Sequence, residues 1–267
     1  MKRNILHALS ALASAFLMAG CNEIPADDRY IEVEAVKVER TVLLEDFTGQ
    51  GCVNCPAAHK IIEALEEQYG RNFIAVSIHA GPFGVPADNK RYTGLMQEEG
   101  QIYNDRYGII DYPQGVLDGK LPALNSDQWA GAVYDEISAK TPVSIAVEAK
   151  VTDDMELIDV TCTVQSSESV EGDFVLWMVE SDIVARQEDI NEGRIPDYVH
   201  NNVFRACING LDGVTMTAAP TDDFTCSYTI PVKNTDTEKW NVDNLAVVAF
   251  VKTSAGIVQA ASTQVIK

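Results

Sequence analysis

The feature that most constrains this chain is Cys52-Val53-Asn54-Cys55-Pro56, set between two different apolar patterns. Before it, Thr41 to Phe47 is apolar and β-branched, as a buried strand is, and ends at Thr48-Gly49-Gln50-Gly51. After it, Ala58, Ile61, Ile62, Leu65 and Tyr69 fall on one helical face, with Lys60, Glu63, Glu66 and Glu67 elsewhere. That periodicity predicts a helix from Cys52 to about Tyr69. Pro56 suits the first turn, where its missing N–H costs nothing, and Gly70 stops the helix. Phe73 to His79 reads as a second buried strand. Strand, helix, strand implies a parallel pair with a right-handed crossover. The two thiols therefore lie at a helix N-terminus, whose unpaired N–H groups and partial positive charge stabilise a thiolate. The two-residue spacing lets the second Cys resolve a mixed disulfide formed at the first. Cys52 is the candidate nucleophile and Cys55 the candidate resolving thiol.

Gly81 to Gly94 is rich in Gly and Pro and reads as irregular. A short helix is predicted over about Gln97 to Tyr107, and a short strand near Gly115 to Leu117. Asn125 and Gln128 have capping-box spacing, and Trp129, Val133 and Ile137 then stack every four residues. From Pro142 the texture changes. Val143–Val151, Leu157–Val164, Phe174–Val179, Phe224–Val232, Leu245–Val251 and Ile257–Val265 all read as strands. This spacing predicts an all-β, immunoglobulin-like sandwich over residues 141–267, with Phe174 and Trp177 in its core. Ile183 to Asn202 reads as a long connection, a loop or short helix on one rim.

Further matches around the Cys pair resemble the thioredoxin superfamily. Four residues separate Asp46-Phe47, at the end of the first strand, from Cys52, and three separate Tyr107-Gly108-Ile109 from Pro113. The resemblance implies a thioredoxin-like α/β domain over residues 41–140. It gives Asp46 the role of a buried acid that moves the resolving thiol's proton. It makes Tyr112-Pro113 a cis-proline site whose backbone pairs with substrate, at a bond where cis is chemically permitted. The Trp usual before the first Cys is Gly51 here, and Val53-Asn54 matches neither reductant nor oxidant dipeptides, so redox direction is open. A second resemblance spans most of the chain. Leu44-Glu45-Asp46-Phe47-Thr48-Gly49-Gln50, the Cys pair, Tyr112-Pro113-Gln114-Gly115 and His200-Asn201-Asn202-Val203-Phe204-Arg205 are similar to the 28 kDa outer-membrane-protein family. Those are envelope lipoproteins of Gram-negative bacteria, chiefly Bacteroidetes, which pair a thioredoxin-like domain with a β-sandwich.

Lys2 and Arg3 precede an apolar run from Ile5 to Met18, which is shorter than the roughly 20 residues a permanent span needs. The exit Leu17-Met18-Ala19-Gly20-Cys21 resembles a lipobox. Residues 1–20 are thus predicted to be a lipoprotein signal peptide, Cys21 the lipid attachment site, and 21–40 a tether and leading segment. Of six cysteines, Cys162, Cys207 and Cys226 then remain, an odd number. In an exported protein one bridge and one buried free thiol is the simplest accounting. Sequence alone does not fix the pairing. Cys207 with Cys226 is favoured, both being predicted on late neighbouring strands.

With 20 basic and 40 acidic residues, the net charge of -20 repels phosphate backbones and anionic headgroups, so nucleic acid is not an expected partner. Membrane contact is expected through the N-terminal lipid only. Cys52, Cys55, His59 and His79 carry donor types suited to copper or zinc. A solvated His59 and a hydrogen-bonded His79 are the plainer reading, and no metal or cofactor is expected. His200 reads as rim structure. Three functions follow in order of preference. The first is thiol–disulfide exchange with envelope protein thiols and disulfides. The second is a surface binding protein or adhesin whose sandwich meets a partner. The last is a metallochaperone.

Overall fold

A computed structural model describes residues 39–267. The buried run ahead of the thiols forms β1 (Val42–Thr48), every residue of which is buried. It is followed by α1 (Cys55–Tyr69), β2 (Phe73–His79), α2 (Glu98–Tyr107), β3 (Gln114–Leu117), β4 (Lys120–Asn125) and α3 (Trp129–Ile137). β1 and β2 pair in parallel, as the crossover requires, and β3 adds antiparallel to β1. The periodic residues of α1 and α3 pack on one face of β1, where Ile62, Leu65, Trp129 and Val133 meet Leu44. The capping box at Asn125 and Gln128 forms, in a single 3-10 turn just ahead of α3.

After Pro142 the named elements are strands: β5 (Val143–Val151), β6 (Leu157–Ser166), β7 (Val170–Glu180), β8 (Ile183–Asp189), β9 (Gly193–His200), β10 (Val203–Cys207), β11 (Val214–Ala218), β12 (Phe224–Pro231), β13 (Leu245–Thr253) and β14 (Gly256–Ile266). The chain is mostly β, built on one large mixed sheet. Its order is β12-β6-β5-β14-β13-β7-β10-β2-β1-β3-β4, with β11 also on β7. The sheet is continuous across the change of texture. Val203 of β10 pairs with Ser77 of β2, and the Ser77 N–H donates to the Asn202 carbonyl at 2.8 Å.

Two expectations are corrected. The segment Ile183–Asn202 is neither loop nor helix but the antiparallel hairpin β8–β9, a two-stranded sheet of its own. Trp177 does not share a core with Phe174. Successive side chains of a strand point to opposite faces. Phe174, Leu176 and Met178 of β7 enter one core with Val160 and Val247. Val175, Trp177 and Val179 enter a second, with Phe47, Ile78 and Tyr103. Trp177 Nε1 donates to the Tyr103 hydroxyl on α2 at 3.1 Å. β7 is thus buried on both faces, and one of its faces belongs to the α/β half.

Candidate functional site

The thiol pair lies where β1 hands over to α1. α1 begins at Cys55 with Pro56 in its first turn, and Cys52 sits in the turn before, its N–H donating to the Gly49 carbonyl at 3.0 Å. Cys52 and Cys55 are joined as a disulfide. Phe83, from the irregular segment after β2, packs on this turn. The Gly51 N–H donates to the Phe83 carbonyl at 2.9 Å, and a Cβ on Gly49 would come within 2.6 Å of the Phe83 backbone. Phe83 in turn meets the Tyr112 ring edge-on at 5.6 Å. Tyr112 donates to Asn104 Oδ1, and the Tyr112–Pro113 bond is cis. Tyr112 is therefore linked to the thiol turn through Phe83.

The β8–β9 hairpin reaches the same turn from the other half of the chain. Gln187 is fully buried, and its amide donates to the Cys52 carbonyl at 2.9 Å and the Gly49 carbonyl at 3.2 Å. The Glu188 N–H donates to the Gln50 carbonyl at 2.9 Å, and the Ile190 N–H to the Val53 carbonyl at 3.0 Å. Cys52 itself is only 2% exposed.

Behind the turn lies Asp46, with no exposed surface. Ser77 Oγ donates to its Oδ2 over 3.5 Å, a long bond, and Oδ1 has no partner among the described residues. Burial pushes its carboxyl up to about 7, with Ser77 working weakly against that. On the opposite face of β1, Glu45 receives a bond from the Tyr107 hydroxyl at 3.1 Å, and burial pushes it up to about 8.

The expectation of a solvated His59 is overturned. His59 lies one helical turn beyond Cys55 and is closed in by β9. Its Nδ1 is 2.9 Å from the Tyr198 hydroxyl, and its Nε2 is 3.1 Å from Thr48 Oγ1 and 3.7 Å from Asp46 Oδ2. Burial pulls its pKa down to about 4. The hydrogen-bonded His79 is also corrected: neither ring nitrogen has a partner among the described residues. His200 is not on a rim but buried, its ring edge-on to His79 at 5.2 Å. Burial holds His79 well below the usual imidazole value and His200 down at about 3. These three rings, with Ser77, Tyr198 and Asn202, line a cavity of about 30 Å³. Among the described residues no group of three or more His, Cys, Asp or Glu is placed to hold a metal ion.

The favoured Cys207–Cys226 bridge does not form. Cys226 stands directly across from Cys162 on β6, while Cys207 lies 3.4 Å from the Tyr103 hydroxyl, and all three thiols are free among the described residues. The lipid site Cys21 lies outside the described residues. Missed altogether were Gln187, Phe83 and Tyr198, each brought to the site by segments far away in the chain.

A family model for the outer membrane protein Omp28 matches residues 100–267. The chain belongs to the Omp28 family. Membership assigns it to the outer membrane of the cell envelope. No helix among the described residues is long and apolar enough to cross a membrane. The Omp28 match contains α3 and all of the second half but begins after Cys55. Among solved structures, HBP35 of Porphyromonas gingivalis is similar with a TM-score of 0.62 at 16% identity, covering 85% of this chain and 76% of that one. A crystallised protein from Agrobacterium tumefaciens gives 0.50 at 16% identity, covering 85% and 95%. A domain of the outer membrane lipoprotein Omp28 from Porphyromonas gingivalis gives 0.34 at 17%, covering 47% and 89%. These likenesses concern fold. No curated protein matches the chain.

Proposed function

We propose that this Omp28-family chain is a lipid-anchored envelope protein that exchanges thiols and disulfides with other envelope proteins. On this reading the α/β half is thioredoxin-like, the strands after Pro142 form an immunoglobulin-like sandwich, and Cys21 carries the lipid. The observation that carries it is the Cys pair at the start of α1 with the buried, half-unpartnered Asp46 behind it. A helix N-terminus stabilises the thiolate of Cys52 once the bond is reduced. That thiolate attacks a substrate disulfide, and a mixed disulfide forms as the substrate's other sulfur leaves. Cys55 then gives its proton to the Asp46 carboxylate and attacks Cys52, releasing the substrate. A carboxyl raised to about 7 is matched to that transfer near neutral pH. Tyr112 and Pro113 border the approach, and no cofactor takes part.

A second reading is favoured by one observation, the near-complete burial of Cys52. There Cys52–Cys55 is a structural bridge, and the sandwich of a surface binding protein or adhesin meets the partner. Exchange with glutathione disulfide, followed by trapping of the mixed disulfide, separates the two. The exchange reading expects a mixed disulfide at Cys52 that Cys52→Ser abolishes and Cys55→Ser accumulates. A fully reduced Cys55→Ser variant that forms none contradicts it.

A further inference from the structure

His59 is placed to do more than hold α1 against β9. Its ring spans the distance between a buried carboxyl and a half-buried tyrosine, with one nitrogen facing each. Resting on the exchange reading, we propose that His59 carries the proton of Asp46 to and from solvent through Tyr198. His59 acts through Asp46 and does not touch the sulfurs.

The step balances. When Cys55 attacks a mixed disulfide, the bond from Cys52 to the substrate sulfur breaks, the Cys52–Cys55 bond forms and the substrate leaves as thiolate. The Cys55 proton is then on Asp46. Asp46 Oδ2, 3.7 Å from Nε2 of His59 at rest, closes to hydrogen-bond distance and donates it there while Nδ1 gives its own proton to the Tyr198 oxygen, whose hydroxyl proton passes to water. The ring ends as its other tautomer and stays neutral throughout. With Nδ1 carrying the ring proton, Thr48 Oγ1, 3.1 Å away, donates to Nε2, and it rotates to accept from Nε2 afterwards. Reduction of the Cys pair runs the relay backwards. A neutral route suits the pocket, because burial already disfavours an imidazolium there. The titratable groups around His59 are Asp46 on β1, His79 on β2, Glu63 and Glu66 on its own helix, the latter held by the Asn202 amide, and Tyr198 and His200 on β9. Two of these are further imidazoles held neutral, so the carboxyl and the phenol form the two ends of the path.

The test uses the full mature chain, glutathione disulfide as probe, and quenched trapping of the mixed disulfide. His59→Gln keeps a polar side chain but cannot change tautomer. It is expected to slow the resolving step about tenfold at pH 7, less than the roughly 10²–10⁴-fold of a group that transfers the proton directly, because His59 acts through Asp46. The pH profile should become hydroxide-dependent while the Cys52–Cys55 potential stays at the wild-type value. Tyr198→Phe keeps the imidazole and removes one hydroxyl, and should slow the same step; it decides the matter should His59→Gln fail to fold. Resolution by both variants at the wild-type rate and pH profile overturns the relay and leaves the exchange reading standing. A Cys55→Ser variant that forms no mixed disulfide overturns both.

A separate observation, independent of that reading, concerns Cys162 and Cys226. They are direct partners across β6 and β12, with Cys162 buried in the core of the later strands and Cys226 packed against it. Facing residues on antiparallel strands have Cα atoms about 4.5–5.5 Å apart, inside the range a disulfide accepts. We infer that this pair closes a second disulfide in the envelope, tying the edge strand β12 to β6. Two thiols lose two protons and two electrons, and a disulfide oxidant is reduced to two thiols. The mature chain is incubated with excess glutathione disulfide, denatured, alkylated and peptide-mapped. A Cys162–Cys226 peptide pair with alkylated Cys207 is expected. Alkylation of both Cys162 and Cys226, or linkage of either to Cys207, overturns the inference.

Discussion

At the scale of single residues, the site rests on a carboxyl that the fold holds against its preference. Asp46 ionises near 3.8 in an unfolded chain and at about 7 in the folded one. The folded protein therefore binds the proton more tightly. Stability from this group is fully present below pH 3.8 and is lost as pH rises through 7. Asp46→Asn removes that loss. Denaturant unfolding of the oxidised protein should show the variant equal to wild type near pH 4 and more stable at pH 8, by up to roughly 4 kcal/mol. Equal stability at both pH values would show that Asp46 ionises normally. The glycines of the turn make a second, sharper contrast. A Cβ at Gly49 would collide with the Phe83 backbone at 2.6 Å, whereas at Gly51 the nearest atom is at 3.4 Å. Gly49→Ala should cost about 1–3 kcal/mol, as overpacking does, and Gly51→Ala less than about 1 kcal/mol, read by thermal or urea unfolding.

Among the elements, β8–β9 has the largest consequence for the thiols. Gln187 holds the hairpin to the carbonyls of Gly49 and Cys52. Gln187→Ala leaves those acceptors buried without a donor, at about 1–3 kcal/mol each. The hairpin should then open more often, and alkylation of Cys52 by iodoacetamide in the reduced protein should quicken several-fold. An unchanged alkylation rate would show that the hairpin does not gate the thiol. This element was the least legible in the sequence, for a physical reason. Its buried positions, Ala185, Gln187 and His200, are small or polar, while Val184, Ile190 and Val199 face solvent. Neither period of a half-buried strand nor that of a helix appears in such a run. β1, α1 and β2 were legible because burial there follows local pattern. His59 was misread for a related reason. Its helix position suggested solvent, and the groups that enclose it lie 139 residues away, at Tyr198, and on β1.

On the scale of the whole molecule, the α/β half and the later strands share one sheet and one of its cores. Trp177 could be read as buried from its sequence, but which face of β7 it occupies depends on what packs there. It meets Phe204 and Phe250 as well as Tyr103, all with edge-on or tilted rings. Residues 39–267 should therefore unfold in one cooperative transition, with fluorescence and far-UV dichroism coincident. Trp177→Ala should lower the stability of both halves together by about 3–5 kcal/mol. Two separated transitions would show that the halves are energetically independent.

The most direct test of the central claim is the Cys52–Cys55 redox equilibrium. It is measured on the mature protein in glutathione buffers by thiol trapping. The exchange reading predicts a potential of roughly -270 to -120 mV, with Cys52 the faster thiol to alkylate. A potential below about -300 mV would mark a structural bridge and contradict it.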